Sequence, residues 1–162
     1  MNEFDILSAN GIIFNERPDS IPYKYRISYR VAVIVLAIKI CSARKGCPLV
    51  KLHIINDALE KDGLVKEIKN LLSDNSDEMV IRFDSSLNRA LEYGIADGLI
   101  VQQGNRTYKL SEAGRKFVEG LLKEQDLLRE EKNKLKEINI ELDEVTLNSI
   151  LERWRMANDK DK

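Results

Sequence analysis

The stretch from Phe83 to Leu110 reads FDSSLNRALEYGIADGLIVQQGNRTYKL, and it predicts a capped helix followed by a tight β-hairpin. Asp84 suits the N-cap position, because its carboxylate can accept a hydrogen bond from a free N–H group of the first turn. Four apolar residues recur at helical spacing and are expected on the buried face: Leu87, Ala90, Leu91 and Ile95. Gly98 fits the left-handed position that commonly ends a helix.

A hairpin is predicted directly after this helix. Ile100 and Val101 begin one strand, and Thr107–Leu110 forms the returning strand. Between them, Gly104-Asn105 is expected to supply the positive φ of a tight turn. A helix, a strand, a wing and a second strand are typical of a winged-helix domain. The expected fold is therefore mainly α with a small β-hairpin: a winged-helix domain, a long C-terminal helix and a terminal helix.

The segments before this stretch are predicted to be mostly helical. A helix is expected over residues 23–43, although the apolar run Val31–Ile38 alone would also fit a buried strand. Two further helices are expected, one with Pro48 in its first turn and the next over residues 64–72. Residues 79–83 alternate in a way that suits a short strand paired with the hairpin.

After the hairpin, Ser111 is predicted to cap a long helix that runs to about Glu137. Its first half is expected to pack on the domain and its charged second half to project. Asp143 is expected to cap a last helix. The apolar stripe of that helix needs either the chain's own core or a partner groove, and it consists of Leu147, Ile150, Leu151 and Trp154. The expected divisions are an N-terminal arm (1–22), the winged-helix domain (23–122) and a helical extension (123–162).

The charge of the chain is balanced overall but unevenly distributed. The 162 residues carry a formal net charge of −1, whereas dedicated nucleic-acid binders are usually strongly basic. However, no acidic residue lies between Asp19 and Asp57, so the first third is basic. Contacts with DNA phosphates are predicted for Lys24, Arg26, Arg30, Arg44, Lys45, Gln103 and Arg106.

The sequence shows no catalytic or metal-binding pattern. His53 is the only histidine, and no identifiable nucleophile accompanies it. Cys41 and Cys47 lack the spacing of zinc ligands. We therefore expect no enzyme activity, metal site or cofactor. The longest apolar run is too short to span a bilayer, and a cytoplasmic location is expected.

The outward face of the helix over residues 84–98 is expected to be nearly neutral. Helical winding exposes five residues, a mixture less suited to reading base pairs than to contacting protein: Asn88, Arg89, Glu92, Tyr93 and Ala96. A protein interface is predicted at Arg89, Glu92, Tyr93, Leu147, Ile150, Leu151 and Trp154.

Two segments follow a known pattern: Phe83–Gly94 continuing through Asp97–Ile100 (DGLI), and Leu110–Phe117 (LSEAGRKF). They resemble the small middle component of ABC three-component systems, the group that includes Lamassu-type bacterial anti-phage defence. The resemblance covers roughly residues 23–122, and its second segment also occurs widely in winged-helix regulators. It implies a non-enzymatic subunit that bridges an SMC-like ATPase, which senses DNA, and an effector, often a nuclease.

Two functions are therefore expected as alternatives. In the first, the chain is an accessory subunit that joins the SMC-like ATPase and the effector in an anti-phage or anti-plasmid complex. Non-specific contact with double-stranded DNA in the assembled complex stays open. In the second, the chain is a winged-helix transcriptional regulator that binds DNA as a homodimer.

Overall fold

The structure, a computed structural model, describes residues 21–42, 44–74 and 81–160. In these ranges the chain is mainly helical, as predicted, with a three-stranded antiparallel sheet. The helices are α1 (Ile27–Cys41), α2 (Leu49–Glu60), α3 (Leu64–Ser73), α4 (Ser85–Ala96), α5 (Glu112–Lys123), α6 (Arg129–Glu141) and α7 (Glu144–Lys160). The strands are β1 (Cys47–Pro48), β2 (Ile100–Gln102) and β3 (Thr107–Leu110). None of the described helices is long and apolar enough to cross a bilayer.

Helix α1 lies at the centre of the fold. The run Val31–Ile38 is apolar on every side, and each of its residues is buried. Its neighbours include α4, α5, α6 and β3, so its whole circumference is covered. Val35 and Leu36 are both 0% exposed, and burying one such side chain contributes roughly 1.5–3 kcal/mol. The helical interpretation of this run is confirmed, although α1 is shorter than the predicted helix over residues 23–43.

The sheet has the strand order β1–β3–β2, with β3 in the middle. Cys47 pairs with Tyr108 in β3, and Ile100 of β2 pairs with Leu110. The strand predicted over residues 79–83 is wrong at residues 81–83, which form no strand. Residues 79 and 80 lie outside the described ranges. Pro48 has no N–H group to donate, which restricts it to an edge position such as the one it takes here.

The hairpin turn differs in detail from the prediction. Neither Gly104 nor Asn105 has a positive φ; the left-handed residue is Arg106, with φ 60°. The Arg106 N–H donates to the Gln103 carbonyl at 3.0 Å, which closes a three-residue loop of the type that places a left-handed residue last. Asn105 is used differently: its Oδ1 accepts from the Thr107 hydroxyl at 2.7 Å, which fixes the turn locally.

The long helix predicted after Ser111 is in fact two helices. Helix α5 ends at Lys123, and the chain reverses through Leu128, which has φ 54°. Helix α6 then packs on α1 instead of projecting, and its Leu135 is 0% exposed. Lys132 interrupts the apolar seam but is buried, and its ammonium group donates to the Glu124 carbonyl at 2.6 Å. That hydrogen bond ties the start of α6 to the end of α5.

Helix α7 begins after Asp143, which caps it as predicted by accepting from the Thr146 N–H at 2.7 Å. Leu147 is 7% exposed and Ile150 is 0% exposed, so the apolar stripe is covered by the chain's own core. The predicted extension therefore contributes to the same core as the preceding helices. The predicted N-terminal arm lies outside the described residues, apart from its last two.

Candidate functional site

Helix α4 is held in place by a network centred on its N-cap, Asp84. The carboxylate accepts from the Ser86 N–H at 2.8 Å, which confirms the predicted cap, and it also accepts from Arg30 at 2.9 Å. Asn56 donates to the same carboxylate at 3.4 Å. Burial alone would raise the pKa of Asp84, but the hydrogen bonds from Ser86 and Arg30 outweigh it and hold that pKa at about 2.

His53 is the second support of α4. Its Nδ1 accepts from the Asp84 N–H at 3.1 Å, so the ring proton lies on Nε2, which is 3.1 Å from Asn88 Oδ1. The ring also lies against Phe83, with centroids 4.5 Å apart, and Phe83 in turn contacts Trp154 of α7. Burial lowers the pKa of His53, against opposing contributions from Asn88 and Asp84. His53 therefore acts here as a neutral bridge between α2 and the start of α4.

The outer face of α4 has five residues, all exposed as predicted: Asn88, which also contacts His53, Arg89, Glu92, Tyr93 and Ala96. Tyr93 is 51% exposed, although a tyrosine ring is a large apolar surface. The inward face differs from the prediction at one position, because Ile95 is 37% exposed and Gly94 is buried instead. A Cβ at position 94 would lie 2.7 Å from the Ile100 side chain, so α4 approaches the sheet closely there.

The second part of the predicted protein interface needs correction. Leu147 and Ile150 are buried within the chain, so neither offers surface to a partner in this structure. Leu151 and Trp154 are only partly buried, and Trp154 lies 6.0 Å from Phe83 between ring centroids. Of the residues predicted for the interface, those of α4 are exposed, while Leu147 and Ile150 at the centre of the α7 stripe are buried.

The residues predicted to contact phosphates do not form one cluster. Arg30 is only 10% exposed and is paired with Asp84, so its charge serves the α4 cap; its predicted phosphate contact is not supported. Lys24 lines a small cavity together with Glu130 and Glu131 of α6, and Arg26 is exposed just before α1. The other four predicted residues lie on or beside the hairpin: Arg44, Lys45, Gln103 and Arg106.

The loop before β1 abuts the hairpin. The carbonyl of Lys45 is 3.4 Å from the Thr107 hydroxyl. A Cβ at Gly46, which has φ 91°, would lie 2.8 Å from that hydroxyl and 3.1 Å from the Gln103 side chain. Only glycine therefore allows the loop to pass this close to the hairpin in this backbone conformation.

Next to this junction lies an open groove of about 450 Å³. Four of its lining residues are cations from four separate elements, and we call it the basic groove: Lys39, Arg44, Lys109 and Arg115. Among the residues that the structure describes, no carboxylate or aromatic side chain lines the groove, and none of the four cations forms an ion pair. The sequence had indicated Arg44. It gave no reason to group that residue with Arg115, which is distant along the chain.

The described residues offer no cluster of His, Cys, Asp and Glu that could hold a metal ion. Cys41 and Cys47 are buried free thiols, and burial raises their pKa values to about 12 and about 11. At neutral pH both are therefore protonated and unreactive. No family model, curated protein or solved structure matches the chain.

Proposed function

We propose that the chain is a non-enzymatic accessory subunit that joins an SMC-like ABC ATPase to an effector, often a nuclease, in a cytoplasmic anti-phage or anti-plasmid complex. The observation that carries this proposal is the outer face of α4. It presents an exposed Tyr93 beside Glu92 and one turn after Arg89, on a helix whose start is held by a partly buried hydrogen-bond network. Tyrosine and arginine are enriched at the energetic centres of protein interfaces.

The proposal treats the domain as a winged helix. Its support is the order of elements, with α1, β1 and α2 before α4 and then the hairpin. The pairing of β1 with β3 also fits, because it places the first strand beside the last. Helix α3 is an addition between α2 and α4. In this interpretation α4 occupies the place of the recognition helix, and the 103–106 turn is the tip of the wing.

The charge on α4 disfavours base reading. Arg89 is the only cation on its outer face, and Glu92 follows one turn later, while Asp97 lies at the C-terminal end. Specific readers of the major groove aim arginine, asparagine or glutamine at base edges and avoid carboxylates beside phosphates. An outer face with balanced charges and an aromatic ring is better suited to binding a protein partner than to binding DNA. The resemblance to middle components of ABC three-component systems names the class of partner.

The test is co-purification with the ATPase and the effector encoded beside this chain. The wild-type chain is expected to elute with both partners, and Tyr93→Ala is expected to weaken that association at least tenfold. Tyr25→Ala is the matched control, since Tyr25 is also an exposed tyrosine but lies before α1. If the wild-type chain binds neither partner, or if Tyr93→Ala assembles as well as Tyr25→Ala, the proposal is wrong.

The alternative function, a homodimeric regulator that reads DNA through α4 and the wing, has one observation in its favour. Arg106 stands at the wing tip in a left-handed conformation that costs an arginine about 1 kcal/mol or more. A regulator should shift a fragment of its own promoter with a steep dependence on salt, and Arg89→Ala should weaken the shift. A flat salt dependence would exclude this alternative.

A further inference from the structure

The basic groove lies apart from the outer face of α4 and concentrates positive charge in a chain whose net charge is −1. Lys39 is near the end of α1, Arg44 is in the following loop, Lys109 is in β3 and Arg115 is in the first turns of α5. Folding brings these like charges around one concave surface, and no carboxylate from the part of the chain that the structure describes lines it. Such a surface raises the local concentration of anions and relieves its own repulsion by binding one.

We propose that the basic groove binds the phosphodiester backbone of double-stranded DNA without reading its sequence. The groove is open and its cations come from four elements, whereas a site for a small anion gathers its donors in an enclosed pocket. Lys39, Arg44 and Arg115 are exposed, which suits contacts with successive phosphates of a long polyanion. No aromatic side chain of the described ranges lines the groove, and binders of single strands use such side chains to stack bases.

The adjoining wing extends this surface. The loop that carries Arg44 and Lys45 lies against Thr107, the residue that follows Arg106. Contacts between cationic side chains and the phosphate backbone of DNA position a protein on the duplex but carry no sequence information. The DNA surface and the outer face of α4 are therefore different surfaces. The inference does not depend on the proposed protein partners, because it can be tested with this chain alone.

The experiment measures binding of the full chain to a fluorescently labelled 30-base-pair duplex, about three helical turns of B-DNA, by fluorescence anisotropy over a range of salt concentrations. The test variant is the double substitution Lys39→Gln/Lys109→Gln. The matched control is Lys116→Gln/Lys136→Gln, which removes the same charge from exposed lysines that do not line the groove. Circular dichroism verifies that both variants remain folded.

We expect the wild-type chain to bind duplexes of unrelated sequence equally well. The slope of log K against log salt is negative, and each phosphate contact makes it steeper by about 0.9. The test variant removes two cations, so its slope should be shallower than that of wild type by about 1.8. At about 0.1 M salt this corresponds to a loss of affinity of at least tenfold, while the control should stay within about twofold of wild type.

Four results would overturn the inference. The first is no binding of the duplex by the folded wild-type chain. The second is an equal loss in the test and control variants, which would indicate a diffuse effect of net charge. The third is displacement of the duplex by inorganic phosphate at a concentration equal to that of the duplex's own phosphate groups, which would indicate a small-anion site. A groove variant that binds DNA normally but fails to co-purify with the ATPase would assign the groove to an acidic protein surface instead. Loss of assembly in Tyr93→Ala with DNA binding intact would leave this inference standing.

Discussion

Replacing Gly114 with alanine should destabilise the protein strongly, because α5 crosses Leu99, in the turn between α4 and β2, with no room for a side chain. A Cβ at Gly114 would lie 2.0 Å from the Leu99 carbonyl oxygen, whereas ordinary contact begins near 3.4 Å. Helix α5 would have to move by about 1.4 Å. That movement would break the hydrogen bond from the Ser111 N–H to the Leu99 carbonyl, now 3.0 Å, and the bond from the Ser111 hydroxyl to Gly98, now 2.5 Å.

The expected cost follows from these contacts. Overpacking typically costs about 1–3 kcal/mol, and each lost hydrogen bond costs about 0.5–1.5 kcal/mol. Alanine recovers about 1 kcal/mol of helix propensity relative to glycine. The net destabilisation should be about 1–5 kcal/mol, which lowers the melting temperature of a chain of this size by roughly 2–20 °C.

Gly120 provides the control within the same helix, because a Cβ there meets nothing within 4 Å. Gly120→Ala should therefore stabilise the protein by up to about 1 kcal/mol through helix propensity. Urea unfolding followed by far-UV circular dichroism measures both changes. If Gly114→Ala is as stable as wild type, or if the two substitutions shift stability in the same direction, the close crossing of α5 over Leu99 is wrong.

Leu91→Ala should cost roughly 2–5 kcal/mol in urea unfolding, because Leu91 is 3% exposed, whereas Tyr93→Ala should change stability by less than about 0.5 kcal/mol. The reverse order would mean that the two faces of α4 are assigned incorrectly. The pKa of His53 is lower in the folded state than in the unfolded state, so below about pH 6.5 the unfolded state binds more protons than the folded state. The free energy of unfolding should therefore fall, by at most about 1.4 kcal/mol per pH unit, as the pH decreases below that value. His53→Gln should flatten that decline, and an unchanged slope would contradict it. The low pKa of Asp84 should contribute a further loss of about 1–2 kcal/mol as pH falls from about 4 to 2, and Asp84→Asn should remove it in acid titration.

The sequence predicted the elements that rest on local chemistry. The caps at Asp84, Ser111 and Asp143 and the left-handed Gly98 were all correct, because each depends on a few neighbouring residues. The burial of Val31–Ile38 was also predictable, since no face of such a helix can remain in water.

The errors came from features that depend on distant residues. A two-residue strand at Cys47 has no periodicity to detect, and its pairing with Tyr108 across sixty positions makes it a strand. The reversal at Leu128 breaks an otherwise helical pattern with a residue that carries no turn signal. It occurs because Leu135 becomes buried, and Lys132 can donate to the Glu124 carbonyl, only when α6 folds back on α1. The turn at Arg106 is a different case, because its hydrogen bond between Asn105 and Thr107 is local, and the Gly104-Asn105 pair did not indicate that Arg106 would be the left-handed residue.

Net charge was the least reliable guide to the candidate surfaces. A value of −1 for the whole chain argues against nucleic acid only if the charges are well mixed in space. Folding separates the charges in space. Arg30 is largely buried in its ion pair with Asp84. Lys109 and Arg115, from the second half of the sequence, line the basic groove together with Lys39 from the first half. The same rearrangement leaves the outer face of α4 nearly neutral. The two proposals therefore use separate parts of one chain: the cations of the basic groove for a DNA backbone, and the nearly neutral outer face of α4 for a protein.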